Sequence, residues 1–282
     1  MPQKTEFHIP IKSDGSTALD TLANTSGLSR QKIKQAMQKG CVWIETNHYT
    51  QRLRRAKRTL SKGHTLHCYY DSYVLKMTPP DAQLVCDKGD YSIWNKPSGM
   101  LSQGSKWGDH CTLYRWAEKH LKPERPAFIV HRLDRAASGL TILAHKKKIA
   151  SQFADMFQKH ELEKHYEVWV NGDFSSQLTE KNPIKIITDE LDHKPAESYA
   201  QLIKVVADSK SGQTQSLLDV EIKTGRKHQI RKHLAGLGFP VVGDRLYNAN
   251  QKHTKNLQLK AILLRFDCPI TGAPVVFKLE GE

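Results

Sequence analysis

The chain has 282 residues, with 43 lysines and arginines against 29 aspartates and glutamates and a formal charge of +14. That length suits one large domain plus a small one around a substantial core. The basic excess points to a polyanionic partner, nucleic acid first, because neutralising phosphates is what such an excess does best. Five scattered cysteines with no Cys-x-x-Cys pair argue against a disulfide framework or a zinc knuckle and for a reducing compartment. The start MPQKTEFHIP lacks an apolar signal core and no run approaches bilayer-spanning length, so a cytoplasmic protein without a membrane partner is expected.

In chain order, residues 1–75 read as a small module. Thr17 to Ala23 and Ser29 to Lys39 predict two short helices, the second with Ser29 as N-cap, Ile33, Ala36 and Met37 on its apolar face and Gly40 as its stop. Cys41 to Ile44 and Thr65 to Tyr70 predict strands. Arg30, Lys32, Lys34 and Lys39 must face outward from the helix, and Arg52, Arg54, Arg55, Lys57, Arg58 and Lys62 form the densest basic run in the chain. Such a run is either a solvated face or a track for phosphates. Residues 76–81, KMTPPD, read as a linker, leaving 82–282 as a second, larger part.

In that part Thr112 to Leu121 and Lys148 to His160 carry apolar residues at helical spacing. Lys164 to Val170 alternates as a strand does, and Ala196 to Val206 and Ser216 to Ile222 predict strands about a polar turn around Ser209 to Gly212. His228 to Leu237 predicts a helix, and two closing strands follow at Ile262 to Phe266 and Val275 to Leu279. Strands in runs with interspersed helices give an α+β class with a mixed, mostly antiparallel sheet.

The stretch Phe128 to Lys148, FIVHRLDRAASGLTILAHKKK, sets Asp134 between Arg132 and Arg135, on a loop before a buried strand, with no other acid between His131 and Lys148. Flanking guanidinium groups favour the ionised carboxylate, which suits an anionic nucleophile or a structural ion pair and not a proton donor. Among the fourteen histidines, His228 and His233 stand five apart without an acidic or Cys companion at recognised spacing, so no metal is assigned.

His131-Arg132-Leu133-Asp134 followed by Ser138-Gly139 resembles the catalytic signature of the RluA-type pseudouridine synthases, which convert uridine in RNA to its carbon-linked isomer. Three more segments resemble that family in its order: YSIWNKPSG at Tyr91 to Gly99, Lys164-His165-Tyr166, and TGRKHQIRKHLA at Thr224 to Ala235, followed by Gly238 to Asp244 and Leu246-Tyr247. The family usually has Thr at the position of Ala137, a departure that bears on a local loop hydrogen bond and not on the nucleophile. The two helices and following strands of residues 1–75 resemble the small S4-like RNA-binding domain shared with a ribosomal small-subunit protein.

The resemblance implies a central mixed sheet with a cleft across it and no cofactor, since a carboxylate can form the transient adduct unaided. It gives Asp134 as nucleophile and Arg231 as the partner that orients it. Tyr166 lines the uracil face, where its hydroxyl could assist proton loss at carbon 5, and Arg132 fills the space left by the extruded base. It leaves open whether the sugar or the ring is attacked. Arg30, Lys34, Arg52, Arg54, Arg55 and Arg58 are expected to bind RNA phosphates. The RNA partner is rRNA by analogy with the amino-terminal module, or tRNA, and no obligate protein partner is implied. The alternative is an RNA-binding or ribosome-assembly protein of the same fold without turnover.

Overall fold

The computed structural model describes residues 4–207, 214–248 and 255–280, so the turn expected around Ser209 to Gly212 lies outside the described residues. The chain divides into two compact units, 1–80 with 103–124 and 81–102 with 125–282. Residues 103–124, which the sequence reading left inside the larger part, pack in the first unit.

The first unit runs β1 (Lys4–Pro10), α1 (Ala18–Ser26), α2 (Arg30–Gln38), β2 (Val42–Glu45), β3 (Thr50–Arg52), β4 (Thr65–Asp71), α3 (Ser72–Lys76) and α4 (Leu113–His120). The hydroxyls of Thr17 and Ser29 cap the first two helices by accepting the amides of Asp20 and Lys32, and Gly27 at φ +66° ends α1. The strands form an antiparallel sheet in the order β1-β4-β2-β3. Leu22, Ile33 and Met37 of the helices share one core with Val42, Ile44, Leu66 and Cys68 of the strands. Strand β1 escaped the sequence reading because only Phe7 and Ile9 mark it as apolar. Opposite Cys68 and Leu66 of β4, those two residues pack against that core.

Two members of the basic run are committed inside this unit. Arg54 Nη2 lies 2.5 Å and Arg52 Nε 3.2 Å from Oδ2 of Asp109, whose side chain is 1% exposed. Arg52 also donates to the carbonyls of Gly40 and Ser105. A carboxylate this buried needs paired cations, so both guanidinium groups are drawn inward by charge compensation and stand apart from a solvated phosphate track. Arg30 pairs with Asp20 on the surface, while Lys34 and Arg55 point to solvent.

The second unit runs β5 (Gln83–Asp87), β6 (Tyr91–Lys96), β7 (Phe128–Ile129), β8 (Ser138–Ala144), α5 (Lys147–Gln158), β9 (Glu163–Asn171), β10 (Ile184–Glu190), β11 (Pro195–Ala207), β12 (Thr214–Ile222), α6 (Gln229–Gly236), β13 (Leu259–Asp267) and β14 (Pro274–Lys278). The sheet order is β10-β11-β12-β9-β13-β8-β6-β5, with β14 on β13 and β7 on β8. Among the described pairings only β13 with β8 is parallel, so the α+β class with a mixed, mostly antiparallel sheet is the one observed. Strand β8 is buried from Gly139 to Ala144 because it lies inside the sheet, with neighbours on both sides. Phe153 of α5 packs on Tyr91 and Phe266, and Ile230 and Leu234 of α6 join the same core.

Gly139 is where β8 and β13 come closest. Its φ is +107°, and a Cβ there would stand 2.2 Å from the carbonyl oxygen of Ala261, its register partner. Gly139→Ala is expected to lower the unfolding free energy by well over about 1 kcal/mol, since strain and a backbone clash add. Urea denaturation measures it, and a variant within a few tenths of wild type would show that the strand pair has room.

Candidate active site

Asp134 sits on the loop between β7 and β8, and the turn after β6 grips that loop residue by residue. Lys96, fully buried at the end of β6, donates from Nζ to the carbonyls of Pro97, Met100 and Ala137 at 3.1, 3.0 and 2.6 Å. Ser98 Oγ donates to the Ala136 carbonyl, the Gly99 amide to Arg135 O, and Arg135 Nε back to Gly99 O. Ser102 Oγ both donates to Leu133 O and accepts the Leu133 amide, at 2.7 and 3.1 Å. Residues 133 and 135–137 are thus tied down around Asp134. Ala137, where the family usually has Thr, is held through its backbone, with its carbonyl on Lys96 and its amide on Asp134 O. Burial pushes Lys96 down to about 8, with the Asp134 carboxylate pulling the other way.

Opposite the loop stands Arg231 on α6. Gln229 anchors that helix. Its Oε1 accepts from Thr224 Oγ1 and the Arg226 amide, and its Nε2 donates to Glu197 O and Ser198 Oγ on β11. Arg231 donates from Nη1 to Asp134 Oδ2 at 2.8 Å, and from Nε and Nη2 to the two oxygens of Asp244 at 2.7 and 2.8 Å. Asp244 is fully buried and also accepts the amides of Leu246 and Tyr247. Gly243 before it, at φ +78°, passes so near Asn256 that a Cβ would stand 2.2 Å from its carbonyl oxygen. Burial opposes the charge on Arg231, but the hydrogen bonds to Asp244 and Asp134 outweigh it and hold its pKa above the ordinary arginine range. Burial likewise opposes the charge on Asp244, which Arg231 and the two amides overcome, leaving its pKa low.

The Asp134 side chain keeps 27% of its surface open. Its second oxygen, Oδ1, lies 3.6 Å from Nε2 of His228, whose Nδ1 is 2.9 Å from the Tyr247 hydroxyl, and the Tyr247 ring faces the Arg231 guanidinium at 5.1 Å. Tyr166 projects from β9 with 8% exposure, and burial first and the Asp134 charge second push its phenol pKa up, so it holds its proton. Asp134 and Arg231 are therefore in contact, with Tyr166 inside the field of the carboxylate. Arg132 is exposed on the same loop. Lys96, His228, Asp244 and Tyr247 were not singled out as site residues from the sequence. All four fall in the segments that resemble the family, which was the available signal. His228 and His233 diverge, His233 turning to Ser198 Oγ at 3.0 Å, and among the described residues no group of three or more His, Cys, Asp or Glu is placed to hold a metal.

Comparison with known proteins places the chain among enzymes that isomerise uridine in RNA. An RNA pseudouridylate synthase family model matches residues 90–236. A tRNA pseudouridine synthase C of Vibrio parahaemolyticus is 31% identical over 72% of this chain and 91% of that protein, and a dual-specificity RNA pseudouridine synthase RluA of Haemophilus influenzae is 29% identical over 72% and 94%. A human RNA pseudouridylate synthase domain-containing protein superposes with TM-score 0.58 at 19% identity, over 73% of this chain and 86% of that one, which shows the shared fold. The chain belongs to the RNA pseudouridylate synthase family, and it is a pseudouridine synthase that acts on RNA. Among the described residues no helix is long and apolar enough to cross a membrane.

His131, first residue of the signature, is a structural base. Its Nε2 accepts the Ile142 amide at 2.9 Å, its ring stacks on Phe157, and burial with nearby Lys164 pushes its pKa from 6.5 down to about 3. Between those values the unfolded chain binds a proton that the folded one refuses. Stability present above pH 6.5 should therefore be lost on acidification, by up to about 1.4 kcal/mol per pH unit. Denaturant melts from pH 7 to 4 should show this slope reduced in His131→Gln, and equal slopes would mean the imidazole titrates freely.

Proposed function

We infer that the enzyme isomerises particular uridines in structured RNA with Asp134 as the nucleophile. The observation that carries this is the partly open Asp134 carboxylate, gripped by a rigid loop and ion-paired to a buried arginine that is itself locked on Asp244. Such an anion can bond to the sugar or the ring while the glycosidic bond breaks and the base turns, with no metal needed. Arg231 orients it through a charge-assisted hydrogen bond. The Tyr166 ring stacks on the extruded uracil, and Arg132 occupies the gap in the RNA.

The relatives' names favour tRNA as the first substrate class to test, with the S4-like reading of the first unit favouring rRNA. In that unit the phosphate contacts fall to outward-facing cations such as Lys34 and Arg55.

Asp134→Asn should fold and bind RNA with unchanged affinity but form no pseudouridine when tRNA and rRNA from cells lacking the protein are mapped by mass labelling. Turnover by this variant would remove the nucleophile from Asp134. In RNA-binding titrations across salt, Lys34→Ala and Arg55→Ala should each reduce the slope of log affinity against log salt by about 1. An unchanged slope would take the amino-terminal unit out of RNA recognition.

A further inference from the structure

The reaction must dispose of the hydrogen on carbon 5 of uracil, and the arrangement around Asp134 narrows what can receive it. Among the described residues, Arg231, Lys96, Tyr166 and His228 meet the Asp134 carboxylate by hydrogen bond, close approach or charge. Arg231 is a permanent cation spent on two carboxylates. Lys96 has its ammonium held by three carbonyls. Tyr166 keeps its phenol proton. His228 remains. Its Nδ1 is fixed by the Tyr247 hydroxyl at 2.9 Å, while its Nε2 lies 3.6 Å from Asp134 Oδ1, beyond hydrogen-bonding reach. An N–H there would close on the carboxylate, so the spacing fits a lone pair on Nε2 and a proton on Nδ1, donated to the tyrosine oxygen.

The backbone supports the same reading. His228 holds φ +56° and ψ +27° at the start of α6, a left-handed conformation that residues bearing a Cβ avoid. This conformation accompanies a ring set beside the nucleophile with 17% of its side chain open. The charged groups acting on it are Asp134, Arg231, Lys227 and Lys232, and burial keeps its pKa low, so it is neutral before the reaction.

We propose that His228 is the catalytic base that takes the proton from carbon 5 once that carbon has bonded to the sugar. The carbon–hydrogen bond breaks and an Nε2–H bond forms. The released electron pair restores the carbon 5–carbon 6 double bond, and the carbon 6–nitrogen 1 π pair withdraws onto nitrogen 1, which takes a proton from water as the imidazolium returns its own. The timing is electrostatic. Asp134 is uncharged while covalently engaged and regains its charge on release, so the adjacent imidazole becomes more basic when a base is required.

This rests on Asp134 as the nucleophile, and the test separates the two. The probe is stable RNA from cells lacking the protein, grown on uracil deuterated at carbon 5, and the readout is single-turnover pseudouridine formation. His228→Asn is the first variant because Asn tolerates the left-handed backbone. It should bind this RNA as wild type does, lose about 100-fold in rate, and show a primary deuterium isotope effect larger than the wild type's. Tyr247→Phe, which frees Nδ1 without removing the imidazole, should lose less and show an isotope effect of the same sense. It carries the test if the first variant does not fold. A wild-type rate in His228→Asn, or a loss in both variants without an isotope effect, overturns the assignment of the base. Asp134→Asn run on the same RNA reports separately, since turnover there overturns the nucleophile and this inference with it.

Discussion

The site depends on one guanidinium shared between two carboxylates. Asp244 engages Arg231 through both oxygens and is itself held by two backbone amides, so the arginine has no freedom to swing. Its remaining nitrogen then defines where Asp134 Oδ2 must be. The buried Asp244 and the partly open Asp134 would repel without the cation, and removing Arg231 would leave Asp244 buried and without its cation, at a cost of about 3–5 kcal/mol. The same bonds fix the position of the Asp134 carboxylate and the pose of α6.

Precision on the other side of the carboxylate comes from backbone. The Asp134 loop sinks Leu133 and Ala137 into the core and is held by a neighbouring turn through serine hydroxyls, an ammonium group and peptide amides. That turn continues strand β6 and the loop leads into β8, its hydrogen-bonded neighbour in the sheet. Placing the reactive group on a loop whose anchors are the ends of adjacent strands gives it access to substrate without loss of position. Gly139 and Gly243 serve this design where backbone segments approach too closely for a side chain.

Legibility in the sequence followed the range of the interactions. Strand β9 and helices α4 and α5 were readable because their burial follows their own period, and β8 because it is one short buried run. Strand β10 was not: it lies at the sheet edge and carries Ile184 and Ile186 on its exposed surface, so no inside-outside pattern marks it. The contact of Asp134 with Arg231 was anticipated through the family's motifs, since nothing local links residues 97 positions apart. The pairing of Arg52 and Arg54 with Asp109 was hidden for the same reason. A dense basic run looks solvated or phosphate-seeking until the single acid that claims two of its members, 55 residues downstream of Arg54, is seen beside it. The left-handed backbone at His228 had no sequence mark, because no glycine stands there to signal it.

That buried acid has a practical side for anyone cutting the gene. A fragment beginning after the Pro79-Pro80 pair would keep Asp109 and Tyr114 yet discard both arginines that neutralise the carboxylate. The orphaned anion would draw water into its surroundings and loosen the 103–124 segment, so such a fragment would be a poor stand-in for the whole enzyme unless Asp109 were replaced by an uncharged residue.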